Sequence, residues 1–161
     1  PANFGRLCSK GAALGETIVA VHQIGSTAIK GIYAKPVIDF LVEVRDLSEV
    51  DGRGSEMERL GYEAMGEFGI AGRRYFRKDD QAGIRIHQVH VFETGSAQVK
   101  RHLAFRDFMN AHPAEARKYS ELKRKLAAEH PNNMDAYIDG KDGFIKEIDR
   151  RAERWLALRV D

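Results

Sequence analysis

The chain of 161 residues is 43% hydrophobic, which is enough to bury one sizeable core. Its 26 basic side chains are balanced by 24 acidic ones, so the net charge of +2 does not indicate a nucleic-acid partner or an anionic membrane. The single cysteine, Cys8, excludes an internal disulfide and favours a reducing compartment. Because no apolar run approaches the roughly 20 residues of a membrane span and no signal peptide is visible, we expect a cytoplasmic protein with no membrane partner.

In the N-terminal half, hydrophobic periodicity predicts a helix over about residues 4–14, followed by two strands. The β-branched run at 17–21 predicts the first strand, and the run at 37–44 predicts a second, which is apolar enough to be a buried central strand. A helix is then expected over 47–60, although Gly52 and Gly54 weaken it.

The later segments change from strand to helix periodicity after Gly95. Three short strands are predicted at 62–65, 73–77 and 84–92, and three helices at 97–110, 113–130 and 134–160. The expected fold class is therefore α/β (α+β): a small mixed β-sheet with helices over residues 1–94, then an α-helical half over 95–161. No Pro-, Gly- or Ser-rich linker divides the chain, so we expect a single domain.

A small-residue turn, Gly25-Ser26-Thr27, follows the first strand. Residues 27–29 are expected to form the first turn of a helix, where the unpaired backbone N–H groups and the hydroxyls of Ser26 and Thr27 would suit a phosphate, and Gly25 would let the backbone approach closely. The alternative is a plain helix cap.

Asp39 lies between Ile38 and Phe40 in the second strand. An ionised carboxylate at such a position is costly unless it is paired or binds a metal, so Asp39 is a candidate metal or substrate ligand. The alternative is local pairing with Lys35 or an arginine. Lys35 itself is held extended by Pro36, and it is either a phosphate contact or an exposed loop lysine.

The Gly-Ser turn, followed by an Asp in an apolar strand, resembles the entry motif of the nucleotidyltransferase superfamily. More narrowly, HQIGSTAIKGIYAKPVIDFLVEV resembles the GrpB family of that superfamily, and the similarity continues in order through the segments at 69–78, 87–91, 101–107 and 119–123. The resemblance implies a nucleotidyltransferase-like fold, phosphates held at the Gly-Ser turn and Mg²⁺ held by Asp39. Relatives of this type usually open with a short segment ahead of the first helix, so residues are expected to precede Pro1.

The superfamily pattern places a second carboxylate two residues after Asp39, where this chain has Leu41. Glu43 shares a strand face with Asp39, but their Cα atoms would be roughly 13 Å apart, too far to share one ion. A two-metal mechanism is therefore in doubt.

Strand alternation places His87 on one face of its strand, and Gln88 and His90 on the other. If the latter face bears Asp39, His90 can act as ligand, base or phosphate donor; the alternative is a hydrogen-bonded histidine in a half-buried strand. Many relatives have histidine where this chain has Gln88. His22 is either structural or part of the same site.

Arginines flank Tyr75 and Phe76, with Arg73 and Arg77 on one face and Arg74 on the other. A guanidinium suits bidentate phosphate binding, so one face is a candidate triphosphate contact; a solvated edge strand is the alternative. In the last helix, Tyr137 and Lys141 lie one turn apart and could both reach a substrate, although packing is the simpler role for Tyr137.

Our leading hypothesis is a Mg²⁺-dependent nucleotidyltransferase-like protein acting on an unknown acceptor. The rival is a non-catalytic module that holds a phosphorylated small molecule, an accessory near coenzyme A metabolism, since some relatives resemble domains fused to a dephospho-coenzyme A kinase. No nucleic-acid partner is expected. The candidate catalytic residues are Asp39 and His90, and the candidate nucleotide-binding residues are Gly25, Ser26, Thr27, Lys35, Arg74, Arg77 and Gln88. Ser26 and Asp39 are predicted to open into one cleft that His90 and Gln88 face.

Overall fold

The computed structural model describes residues 15–159, so the helix expected at 4–14 lies outside the described residues. Five strands form one sheet in the order β1-β2-β5-β4-β3. Strands β2 and β5 are parallel, whereas β4 is antiparallel to both β5 and β3. The strands span Ile18–Ile24 (β1), Ile38–Val44 (β2), Glu63–Ala64 (β3), Arg74–Asp79 (β4) and Arg85–Glu93 (β5).

Two short helices and three long ones accompany this sheet in the described residues. Their bounds are Leu47–Asp51 (α1), Gly54–Arg59 (α2), Ala97–Ala111 (α3), Pro113–Glu129 (α4) and Met134–Ala157 (α5). The expected mixed α/β class with a helical C-terminal half is therefore confirmed. Within residues 15–159, no helix is long and apolar enough to cross a membrane.

The single helix expected over 47–60 is wrong, because α1 ends before Gly52 and α2 starts at Gly54. Each glycine costs a helix interior about 1 kcal/mol relative to alanine, and two of them lie within one turn here. Asp46 caps the first piece, since its carboxylate accepts the Ser48 N–H at 2.7 Å. The glycines therefore divide the segment into two short helices.

The described chain divides into two compact units: residues 15–23 with 37–99, and residues 24–36 with 100–159. The first, called here the sheet unit, has its core on one face of the central strands. Phe40, Val42, Val89 and Val91 alternate inward there, and Met57 of α2 packs against them. This burial fixes the register of β2 against β5, and with it the residues on the opposite face.

The second unit, called here the helical unit, is built from α3, α4, α5 and the segment 24–36. Its core joins Phe108 of α3, Tyr119 of α4 and Ile148 of α5, with Ile29 contributed by the segment. Helix α5 contributes one face to this cluster, since Ile145, Ile148, Ala152 and Trp155 recur at spacings of three and four and all belong to it.

Candidate functional site

In the sheet unit, the face opposite the core bears a row of polar side chains. Asp39 of β2 lies directly opposite Gln88 of β5, and His90 of β5 lies opposite Tyr75 of β4. Directly paired residues project to the same face, so the register places all four side chains together. This set is called the polar face below.

The Asp39 carboxylate is half-buried and has few polar contacts with the described residues. Its side chain is 22% exposed, and its ion-pair partner within residues 15–159 is His90, whose Nε2 lies 4.0 Å from Oδ1 of Asp39. That distance is too long for a hydrogen bond. Because this carboxylate is partly removed from water and has one distant ion-pair partner in the described residues, a bound cation or hydrogen-bond donor would stabilise its charged form.

The orientation of His90 is set by Arg73, which directly precedes β4. The Arg73 guanidinium lies 3.3 Å from Nδ1 of His90, and because a guanidinium only donates, Nδ1 must be the acceptor. In the neutral ring the proton then sits on Nε2, the nitrogen that faces Asp39. His90 is therefore arranged as a donor toward Asp39, which disfavours metal ligation through Nε2.

Arg73 is itself fixed by the loop before β4. Its Nε donates to the Glu67 carbonyl at 3.1 Å and its Nη2 to the Phe68 carbonyl at 2.6 Å, and its guanidinium lies 4.9 Å from the centre of the Tyr75 ring. Burial lowers the pKa of Arg73, but a guanidinium stays charged at any physiological pH. Arg73 therefore adds a fixed positive charge beneath His90.

Tyr75 links Gln88 and His90 on the same face. Its hydroxyl donates to Oε1 of Gln88 at 3.0 Å, and its ring lies 5.2 Å from the His90 ring. Burial raises the pKa of the Tyr75 phenol, and the Asp39 carboxylate adds to that rise against the charge of Arg85. The phenol is therefore a neutral donor that holds the Gln88 amide in one orientation.

Both arginines chosen from the sequence, Arg74 and Arg77, form ion pairs with carboxylates other than Asp39. Arg74 lies on the opposite face, where its guanidinium forms an ion pair with Asp51 of α1. Arg77 is opposite Gln88 and shares its face, but its guanidinium pairs with Glu63 of β3. The roles of Arg74 and Arg77 as phosphate contacts stay predictions. Strand alternation places Arg73 on the face of Tyr75 and Arg77, but the sequence does not show the carbonyl contacts that direct its guanidinium at His90.

Two other histidines of the sheet unit have structural partners. His87 points away from the polar face, as the alternation predicts, and its Nδ1 lies 3.0 Å from the Tyr62 hydroxyl. His22 of β1 binds the Glu43 carboxylate at 2.7 Å, and Thr94 donates to the same carboxylate. Although burial raises the pKa of Glu43, these hydrogen bonds and the charge of His22 outweigh burial and lower it. Glu43 is therefore occupied and does not join Asp39.

A metal ion on the polar face would be held by one protein carboxylate rather than by a cage. No three His, Cys, Asp or Glu side chains of residues 15–159 are grouped so that they could hold an ion. Leu41, where the superfamily pattern has a second carboxylate, is fully buried opposite His90. Mg²⁺ is commonly bound by one or two carboxylates, with water and substrate phosphates completing the octahedron, so Asp39 alone satisfies its minimum.

The turn at Gly25-Ser26-Thr27 belongs to the helical unit and does not begin an α-helix. Ser26–Ala28 form one turn of 3₁₀ helix, and Ile29 is already extended. The cause is Asn110 of α3: its amide donates to the Ala28 carbonyl and its Oδ1 accepts the Lys30 N–H, both at 3.0 Å. These are backbone groups that a continuing helix would use itself, so the expected helix N-terminus at Thr27 is wrong.

Lys35 also belongs to the helical unit. Its side chain is exposed, and its ammonium lies 6.0 Å from the centre of the Tyr137 ring of α5. The prediction that Ser26 and Asp39 open into one cleft stays a prediction.

Several known proteins are similar in sequence to this chain. UPF0157 protein YqkA of Bacillus subtilis is 48% identical over 88% of this chain, which spans only 40% of that relative's length. Glutamate-rich protein GrpB of Alkalihalophilus pseudofirmus is 38% identical over 91% of this chain and 88% of its own. A distant similarity, 27% identical over 89% of this chain and 41% of the relative, is to a dephospho-CoA kinase of Mycolicibacterium paratuberculosis.

The fold has a solved counterpart. The crystal structure of the conserved protein GrpB from Enterococcus faecalis is 42% identical and superimposes with a TM-score of 0.84, covering 96% of each chain. Residues 3–151 also match the family described as GrpB protein, which is nearly the whole chain. On this evidence the chain belongs to the GrpB family.

Proposed function

We propose that the protein binds a nucleotide, or another phosphorylated small molecule, through a Mg²⁺ ion held by Asp39. The observation that carries the proposal is the state of the Asp39 carboxylate. It is half-buried on a strand whose other carboxylate, Glu43, is already paired with His22, and its ion-pair partner in the described residues is a histidine 4.0 Å away. Such a carboxylate is stabilised most by a cation that also brings its own oxygen ligands.

The remaining residues of the polar face would act on the phosphate rather than on the metal. His90 presents Nε2–H beside Asp39, and the charge of Arg73 behind it strengthens that donor. Gln88, held by Tyr75, offers an amide on the same face. Nucleotidyl transfer depends mainly on positioning and charge neutralisation, so a site of this kind needs little covalent machinery.

A non-catalytic accessory module is the second candidate. It is favoured because Leu41 stands where the superfamily pattern has a second carboxylate. A site with one carboxylate binds one metal ion, whereas the two-metal mechanism needs ligands on both sides of the reacting phosphate. The distant similarity to a dephospho-CoA kinase makes coenzyme A or its precursor a reasonable ligand for such a module.

Calorimetric titration of the full chain with ATP, and separately with coenzyme A, tests the proposal with and without Mg²⁺. We expect binding that requires Mg²⁺ and that Asp39→Asn weakens at least about tenfold, since a lost charged contact is worth about 1.5–3 kcal/mol. Asp142→Asn is the matched control, because Asp142 is an exposed aspartate of α5 paired with Lys146.

The outcomes separate the two candidates. Turnover of a nucleoside triphosphate that is lost in Asp39→Asn would establish the transferase, whereas binding without turnover would favour the accessory module. Equal affinities of wild type and Asp39→Asn in the presence of Mg²⁺ would remove the proposed role of Asp39.

A further inference from the structure

The helical unit contains a cavity of about 240 Å³ where α4 ends and α5 begins. One wall is Tyr137, and His130 and Asn132 of the connecting turn provide polar groups. Its described lining includes no acidic residue and consists of Lys35, Ala127, His130, Pro131, Asn132, Met134 and Tyr137. The cavity therefore combines polar nitrogen and oxygen atoms with apolar walls, as small-molecule sites do.

Positive charge gathers around this cavity. Lys35 and Lys141 approach the Tyr137 ring, at 6.0 and 4.7 Å from its centre, and Lys123 of α4 is close enough to Lys141 to feel its charge. No carboxylate of residues 15–159 lies within ion-pair distance of Lys35 or Lys123. The charge of Lys141 disfavours the charged form of Lys123, and an anion in the cavity would offset that repulsion.

Lys35 is placed there by a clamp on the chain two residues earlier. Ser120 accepts the Tyr33 N–H at 2.9 Å, and the Lys123 ammonium donates to the Tyr33 carbonyl at 2.6 Å. These two side chains lie three residues apart on α4, hence on one face of the helix. Side chains of α4 therefore bind both backbone polar groups of Tyr33, which fixes the backbone two residues before Lys35.

The clamp has an energetic cost that a bound anion would offset. Lys123 is only 5% exposed, and burial, with the nearby charge of Lys141, lowers its pKa from 10.5 to about 8. Its charged form is thus disfavoured by the fold as it stands. A negative charge in the cavity would favour that form and tighten the clamp.

We propose that this cavity binds the phosphate of a small phosphomonoester, with Lys35 as its main charged contact, Tyr137 as its wall and Lys123 as a positioning residue. A phosphate carries about −1.5 to −2 charges at neutral pH and so matches several ammonium groups better than a carboxylate does. The volume is below the roughly 300–1,000 Å³ of sites for drug-sized ligands, so the cavity holds a phosphate with a sugar-sized body. This inference uses the helical unit alone and does not depend on the Mg²⁺ site.

Calorimetry of the full chain in EDTA with ribose 5-phosphate tests the inference. We expect binding by the wild type, by Asp39→Asn and by the control Lys146→Gln, which removes an exposed lysine of α5 paired with Asp142. Lys35→Gln should bind at least about tenfold more weakly, the factor that corresponds to one charged hydrogen bond. Because Lys35 is exposed, this variant retains its fold. Ribose, which lacks the phosphate, should not bind.

Several results would overturn the inference. These are absence of ribose 5-phosphate binding to the wild type, equal binding by Lys35→Gln, or equally tight binding of gluconate, which carries a carboxylate instead. Binding that requires Mg²⁺ and Asp39 but not Lys35 would also overturn it, while supporting the metal site on the polar face. Failure of the Mg²⁺ titration alone would leave the cavity's binding in EDTA unaffected, so the two proposals fail separately.

Discussion

The Arg73 guanidinium donates a hydrogen bond to Nδ1 of His90, which leaves the Nε2 proton directed at Asp39. We therefore expect ¹⁵N NMR of the imidazole to show the Nε2–H tautomer of His90 at neutral pH. In Arg73→Lys the shorter, non-planar ammonium cannot donate to His90 and to both loop carbonyls at once. Since Nδ1 of His90 then loses its donor, the Nδ1–H tautomer should become populated. An Nδ1–H ring in the wild type would contradict the assigned direction of this hydrogen bond.

Replacing Leu41 by aspartate would restore the carboxylate pair of the superfamily pattern. Leu41 is fully buried, so Leu41→Asp should lower the free energy of unfolding by about 3 kcal/mol or more. Because residues 39 and 41 are about 7 Å apart on one strand face, Mg²⁺ should recover part of that loss. Urea unfolding of Leu41→Asp and of the uncharged Leu41→Asn, each with and without Mg²⁺, measures this. Equal Mg²⁺ effects on the two variants would show that the carboxylates do not share an ion.

The sheet and the long helices could be predicted from the sequence because their patterns are local. The alternation that separates His87 from Gln88 and His90 needs only the period of a strand, and the register confirms it. Helices α3 to α5 likewise follow from apolar spacing, and their observed bounds lie close to the expected 97–110, 113–130 and 134–160.

The misplaced features depend on contacts between residues far apart in the chain. Asn110 ends the turn at Ser26 by taking the backbone groups of Ala28 and Lys30, more than 75 positions away, and no local pattern indicates that. The clamp on Tyr33 and the cavity beside Lys35 escape the sequence for the same reason. The role of Arg73 escapes it for a different one: its carbonyl contacts are only five and six residues away, but only the folded loop shows that they direct its guanidinium at His90.

His87 should make the stability of the protein sensitive to mild acid. Burial, with the charge of Lys78, lowers its pKa below the unfolded value of about 6.5, so the unfolded chain binds more protons than the fold just below that pH. This contribution to stability is complete above pH 6.5 and is lost as the pH falls toward the folded pKa. His87→Gln, which can still bond Tyr62, should reduce the slope of unfolding free energy against pH between 6.5 and 5 by up to about 1.4 kcal/mol per pH unit. Unfolding in urea at several pH values measures the slope, and an unchanged slope would contradict the lowered pKa.

Two glycines of α5 provide a matched pair for testing how closely α5 packs on α4. A Cβ at Gly140 would lie 3.1 Å from Cδ1 and 3.3 Å from Cγ of the buried Leu126, and closer still to its other methyl, whereas at Gly143 it would meet none of the described atoms within 4 Å. Gly143→Ala should therefore stabilise the protein by about 1 kcal/mol through helix propensity. Gly140→Ala has the same propensity gain but must displace Leu126, at a cost of about 1–3 kcal/mol. Urea unfolding should then find Gly140→Ala less stable than Gly143→Ala by that amount, and equal stabilities would mean that the Leu126 side chain rotates away without cost.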